Sequence, residues 1–103
     1  SRDIRRAMDY MHENLGEPIS ILDIADAVEV NVRTLQKGFQ RAFAQTPMQV
    51  LRNARLDAAY YQLLGRCDVQ SVSQTAYSCG FSHLGRFSRY YRERFGDVPS
   101  VRG

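Results

Sequence analysis

Ser71-Val-Ser-Gln74-Thr-Ala76-Tyr-Ser-Cys79-Gly80-Phe-Ser82-His83-Leu-Gly85-Arg86-Phe87-Ser88-Arg89-Tyr-Tyr91-Arg92-Glu-Arg-Phe95-Gly96-Asp-Val-Pro99 is the stretch on which the fold turns. Ser71 and Gln74 have the spacing of a capping box, in which a hydroxyl and a side-chain amide satisfy backbone N–H groups at a helix start. The short helix that follows carries Val72, Ala76 and Cys79 on one face, and Gly80 supplies a residue that tolerates positive φ in a tight turn. Ser82 is positioned to cap the next helix, whose stripe Phe87, Tyr91 and Phe95 recurs every four residues until Gly96 and Pro99 end it. A short helix, a sharp turn and a longer helix make a helix-turn-helix.

The same grammar occurs earlier in the chain. Apolar Ile4, Ala7, Met8, Met11 and Leu15 predict a one-faced helix from about Asp3 to Leu15, stopped by Gly16 and Pro18. Ser20 precedes a short helix, Ile21 to Val28, and Asn31 caps a third with the stripe Leu35, Phe39 and Phe43. Ala25 stands four before Glu29 as Ala76 stands four before Gly80, and Leu35, Phe39, Phe43 and Pro47 recur as Phe87, Tyr91, Phe95 and Pro99. The offset is 51 residues before the turn and 52 after it, so one extra residue lies near Ser82 to Arg86. Between the halves, Thr46-Pro47-Met48-Gln49 opens a helix through Leu51, Ala54, Ala58, Tyr61 and Leu64 to Gly65. At 1.5 Å per residue its roughly 18 residues span about 27 Å, a spacer's length. The predicted organisation is a single all-α domain over 1–103: a first subdomain (1–46, recognition helix about 32–45), a linker helix (47–65) and a second subdomain (66–103, recognition helix about 83–95).

Charge is segregated. The formal net charge is +3, but residues 1–30 hold three Arg against seven acids, whereas residues 31–103 hold eleven Arg or Lys against four. All the cations but Lys37 are Arg, whose planar fork holds phosphate or guanine bidentately, so a polyanionic partner is expected. Cys67 and Cys79 have no metal-site spacing and read as free thiols. His12 and His83 are isolated, which leaves no nucleophile, base and orienter and no metal cluster; neither catalytic residues, metal nor cofactor is expected. No apolar run is long enough to cross a membrane, so a cytoplasmic protein is the expectation.

The 71–99 stretch resembles the AraC/XylS-type bacterial transcription regulators, a likeness extending over about residues 3–100 and stronger in the second half. It implies a seven-helix domain of two homeodomain-like helix-turn-helix units joined by a long central helix, with the two recognition helices in successive major grooves. It further implies a C-terminal DNA-binding domain whose N-terminal effector and dimerisation domain lies outside this sequence, so the fragment itself is expected to be monomeric. Double-stranded promoter DNA and RNA polymerase are the implied partners.

The third helix's stripe leaves Arg33, Thr34, Gln36, Lys37 and Gln40 outward, and Arg33, Gln36 and Lys37 match the family's base-contact positions. Arg and Lys donate to guanine O6 and N7, and Gln pairs with adenine N6 and N7. In the second unit the corresponding positions are Gly85, Ser88 and Arg89, with His83 also among the expected base contacts. Only Arg89 is a strong reader there, so the first unit is expected to carry more of the sequence discrimination. Phosphate contacts are expected from the helix starts at Ser20, Asn31, Ser71 and Ser82 and from Arg86 and Arg92. Glu29 departs from the family's usual turn glycine, and a side chain at positive φ there costs on the order of 1 kcal/mol. The competing expectation is a helical adaptor that binds only protein through the acidic face of residues 9–29.

Overall fold

A computed structural model describes residues 2–64 and 71–99. Its helices are α1 (Arg2–Glu13), α2 (Ile21–Val28), α3 (Val32–Phe43), α4 (Pro47–Leu63), α5 (Ser71–Ser78) and α6 (Leu84–Phe95). Six helices thus lie among the described residues, where the resemblance implies seven. The expected stop at Gly65, the thiol of Cys67 and the side chain of Ser71 lie outside what is described.

The chain divides into two compact units, Ser1–Arg52 and Asn53–Gly103, which differs from the expected 1–46, 47–65 and 66–103. The physical reason is in α4. Its first turns place Val50 and Leu51 in the core of the first unit, while Leu56, Ala59 and Leu63 are buried in the second. These three stand 52 residues after Ile4, Ala7 and Met11, the buried face of α1. The later part of α4 is therefore the first helix of unit two, in addition to spanning the middle of the sequence. The single stripe expected along this helix does not exist, because its buried face changes where it passes from one core to the other. Tyr61 and Leu64, expected inward, are 72% and 43% exposed.

The repeat extends through all three helices of each unit. Ile24, Ala25 and Val28 of α2 correspond to Thr75, Ala76 and Cys79 of α5, all buried, and Leu35 and Phe39 of α3 correspond to Phe87 and Tyr91 of α6. Phe43, the third member of the first stripe, contacts Phe39 at 5.6 Å between ring centroids but is itself exposed. Burial pushes the Cys79 thiol up, making it a core residue and a poor nucleophile.

Both turns are closed by the same backbone bonds. In unit one Glu29 is left-handed (φ 60°, ψ 39°), with Glu29 N–H donating to Asp26 and Val30 N–H to the Ala25 carbonyl at 3.1 Å. In unit two Gly80 has φ 97°, with Gly80 N–H donating to Tyr77 and Phe81 N–H to Ala76 at 2.9 Å. This is the helix-ending motif in which a positive-φ residue satisfies the last carbonyls. Unit one repeats the substitution at the end of α3, where Ala44 (φ 56°) occupies the place that Gly96 (φ 77°) holds after α6. Unit two uses glycine at both positions and unit one at neither.

A left-handed residue with a Cβ costs about 1–2 kcal/mol, partly offset because glycine loses more chain entropy on folding. Glu29→Gly and Ala44→Gly are each expected to stabilise unit one by about 0.5–1 kcal/mol, raising the thermal midpoint by a few degrees. A denaturation series in which neither variant gains stability contradicts the strain assigned to these two residues.

Candidate nucleic-acid interface

Each third helix buries a two-residue stripe and leaves the opposite face bare. On α3, Arg33, Gln36, Lys37 and Gln40 follow the i, i+3, i+4, i+7 spacing that puts them on one face, and all four are exposed. Gly85, Ser88, Arg89 and Arg92 occupy the equivalent places on α6, 52 residues later, and are likewise exposed. Thr34 and its counterpart Arg86 flank these faces and are also exposed. The expected base-contacting set therefore falls on one side of each helix by geometry, His83 and Asn31 marking the two N-terminal ends.

The cations on these faces are uncommitted. Among the described residues, Arg33, Lys37, Arg86, Arg89 and Arg92 form no ion pair, whereas Arg94 is held bidentately by Asp57 at 2.7 and 2.9 Å. That carboxylate holds the Arg94 guanidinium above its usual range. Arg94 is thus a tie between α6 and α4 within unit two. Arg55 is half-buried, and burial lowers its pKa, so it too differs from the exposed cations on these faces. Arg89 lies over the Tyr90 ring, 5.0 Å from its centroid, a contact that restrains the side chain without consuming its donors.

The helix starts fall into two kinds. At α2, Ser20 Oγ accepts from Asp23 N–H at 3.2 Å and the Asp23 carboxylate accepts from Ser20 N–H at 2.8 Å. At α4, Thr46 and Gln49 make the same reciprocal pair. Both boxes are closed, and the one at α2 places a carboxylate in the first turn of the helix. Ser20, one of the expected phosphate contacts, is exposed and caps α2 with Asp23 beside it. Helices α3 and α6 are capped from one side only: Asn31 Oδ1 accepts from Thr34 N–H at 2.8 Å, and His83 Nδ1 from Arg86 N–H at 3.1 Å.

His83, not Ser82, therefore caps α6. Asn31 follows the left-handed residue of its turn by two positions, while His83 follows Gly80 by three, so the extra residue of the second unit is Ser82 itself. Ser82 is exposed in the turn, one residue before the cap His83. The reading of Ser82 as the cap rested on the preference of hydroxyl residues for such places; the correspondence between Asn31 and His83 was the signal that would have corrected it.

Comparison with known proteins agrees with this architecture. The model for a helix-turn-helix domain matches residues 24–101. The "Probable thc operon regulatory protein" of Rhodococcus erythropolis is 39% identical over 99 residues, covering 94% of this chain and 30% of that protein. "XylDLEGF operon transcriptional activator 2" of Pseudomonas putida is 32% identical over 96 residues, covering 92% of this chain and 61% of the activator. The chain thus spans under a third of the first relative and about three fifths of the second. Among solved structures, a "probable AraC family transcriptional regulator" from Rhodopseudomonas palustris superposes with a TM-score of 0.87 at 33% identity, covering both chains completely. The DNA-binding domain of AdpA, solved with a target DNA, shares the fold with a TM-score of 0.83 at 23% identity over 94% of this chain and 86% of that one. The matched domain, the two helix-turn-helix units and these relatives together show that the chain belongs to the AraC/XylS-type family of helix-turn-helix DNA-binding domains.

Proposed function

We propose that this chain reads double-stranded promoter DNA as the C-terminal domain of a transcription regulator, with α3 and α6 entering successive major grooves and α3 contributing most of the base discrimination. The observation that carries the proposal is the pair of equivalent faces, Arg33-Gln36-Lys37-Gln40 and Gly85-Ser88-Arg89-Arg92, exposed and with unpaired cations among the described residues. A face whose cations are not neutralised within the fold retains its full attraction for phosphate and for guanine acceptors. On α3 Arg33 and Lys37 address guanine and Gln36 and Gln40 adenine, with Thr34 at the edge. On α6 Arg89 is the guanine reader, Ser88 a weaker one, and Arg86 and Arg92 hold phosphates.

The regulator is cytoplasmic, and an effector-binding and dimerising domain elsewhere in the protein presents this one to DNA, with RNA polymerase as the further partner. Among the described residues no helix is long and apolar enough to cross a membrane. Relatives described as operon regulators and activators support the reading. The protein-only adaptor reading differs in one measurable respect, because binding to DNA phosphates weakens steeply with salt and an adaptor shows no duplex binding to weaken.

The test is selection of a preferred duplex from a random pool, followed by titration of variants on it. Gln36→Ala and Lys37→Ala are each expected to lose about 1–3 kcal/mol of discrimination at their base pairs. Arg89→Ala is expected to affect fewer positions. Base preference that collapses on Arg89→Ala and survives Gln36→Ala reverses the proposed division. Arg92→Ala is expected to weaken binding equally on all duplexes and to reduce the slope of log K against log salt by about 1. A slope unchanged in that variant removes Arg92 from the phosphate contacts.

A further inference from the structure

We infer that His83 takes the place of the side chain that Gly85 lacks, presenting its Nε2–H from the start of α6 as a donor to a guanine acceptor edge in the major groove. The assignment rests on the DNA-reading function proposed above. It differs from that proposal in naming a reader at the one groove-face position where α6 has no side chain.

Three observations converge. First, Nδ1 of His83 accepts the Arg86 backbone N–H at 3.1 Å, so this nitrogen carries no proton and the neutral ring holds its proton on Nε2. The cap fixes both the tautomer and the orientation of the ring. Second, a Cβ built on Gly85 would lie 3.0 Å from His83 Cε1 and 3.4 Å from Nδ1. The imidazole therefore lies against the volume in which any side chain at position 85 would begin, and a Cβ there would require the ring to give by a few tenths of an ångström. Third, both residues are exposed, and Gly85 corresponds to Arg33, the first member of the α3 reading face.

The two units distribute the same parts differently. In α3 a short cap, Asn31, bonds the third backbone N–H of the helix at 2.8 Å and Arg33 reaches outward two residues later. In α6 a long cap, His83, bonds the equivalent N–H and the residue two positions later is bare. An imidazole N–H is a single directed donor and the major-groove edge of guanine offers O6 and N7 as acceptors, so the chemistry matches a guanine. Gly85 is then a positioning residue, acting through the ring it accommodates.

The alternative is that His83 only caps the helix, and the cap that unit one uses separates the two. His83→Asn keeps a side-chain acceptor for Arg86 N–H but shortens the donor's reach. It is expected to retain the wild-type thermal midpoint and to lose about tenfold or more in preference for guanine at one base pair of the unit-two half-site. Gly85→Ala is expected to shift the ring by a few tenths of an ångström and weaken the same preference, with no further loss when added to His83→Asn. The double variant His83→Asn with Gly85→Arg, which copies the arrangement of α3, is expected to restore guanine preference at that base pair. Unchanged preference in His83→Asn, or an effect of Gly85→Ala that persists undiminished in the His83→Asn background, overturns the assignment while the wild type still selects its duplex. A wild-type chain that selects no duplex overturns the DNA-reading function and this role together.

Discussion

The rest of the structure depends on the burial of two side chains per recognition helix against the small residues of the helices behind it. Phe39, Phe87 and Tyr91 are fully enclosed and Leu35 almost so, while Ala7, Ala25, Ala59 and Ala76 are buried without protruding. The alanines let the helices approach closely, and the aromatic rings fill what remains. Truncating one enclosed ring costs about 3–5 kcal/mol, against a total stability of about 5–15 kcal/mol for a domain of this size. That energy fixes the rotation of α3 and α6 about their own axes. Since the buried stripe cannot turn away, neither can the face opposite it, and the cations along that face stay pointed outward.

Within this shared plan the units are unequal in ways that bear on their work. Unit one holds Glu29 and Ala44 in left-handed conformations that unit two gives to Gly80 and Gly96. Unit one also has a complete set of long polar side chains on the exposed face of α3, while α6 has a glycine at the first of these places with the ring of its cap residue lying against it. Stability and side-chain reach are thus divided between the halves. The ion pair of Arg94 with Asp57 ties α6 to α4 and withdraws one arginine from the cations available to a phosphate chain.

Much of this was legible in the sequence, for identifiable reasons. The spacing of Leu35 and Phe39, repeated at Phe87 and Tyr91, located both recognition helices and their outward faces because helical periodicity is local. The capping pair Thr46 and Gln49 likewise showed in the letters and in the bonds. What escaped were features that depend on where a helix meets different neighbours. The role of Leu56, Ala59 and Leu63 as a second copy of Ile4, Ala7 and Met11 was hidden because α4 serves two cores, which erases any single stripe. The left-handed Ala44 carries no residue-type signal, since alanine at positive φ is set by the packing around it. His83 displaced Ser82 as the cap because one added residue in the turn moved the helix start, and cap preference alone does not register such a shift.

The central claim is that both units read DNA, each through the face opposite its buried stripe. Footprinting of the chain on its selected duplex by hydroxyl-radical cleavage and base methylation tests it most directly. Protection of guanines in two major grooves whose centres lie about 10–10.5 base pairs apart is the expected result. Protection confined to one groove would contradict the claim and make the other unit a scaffold.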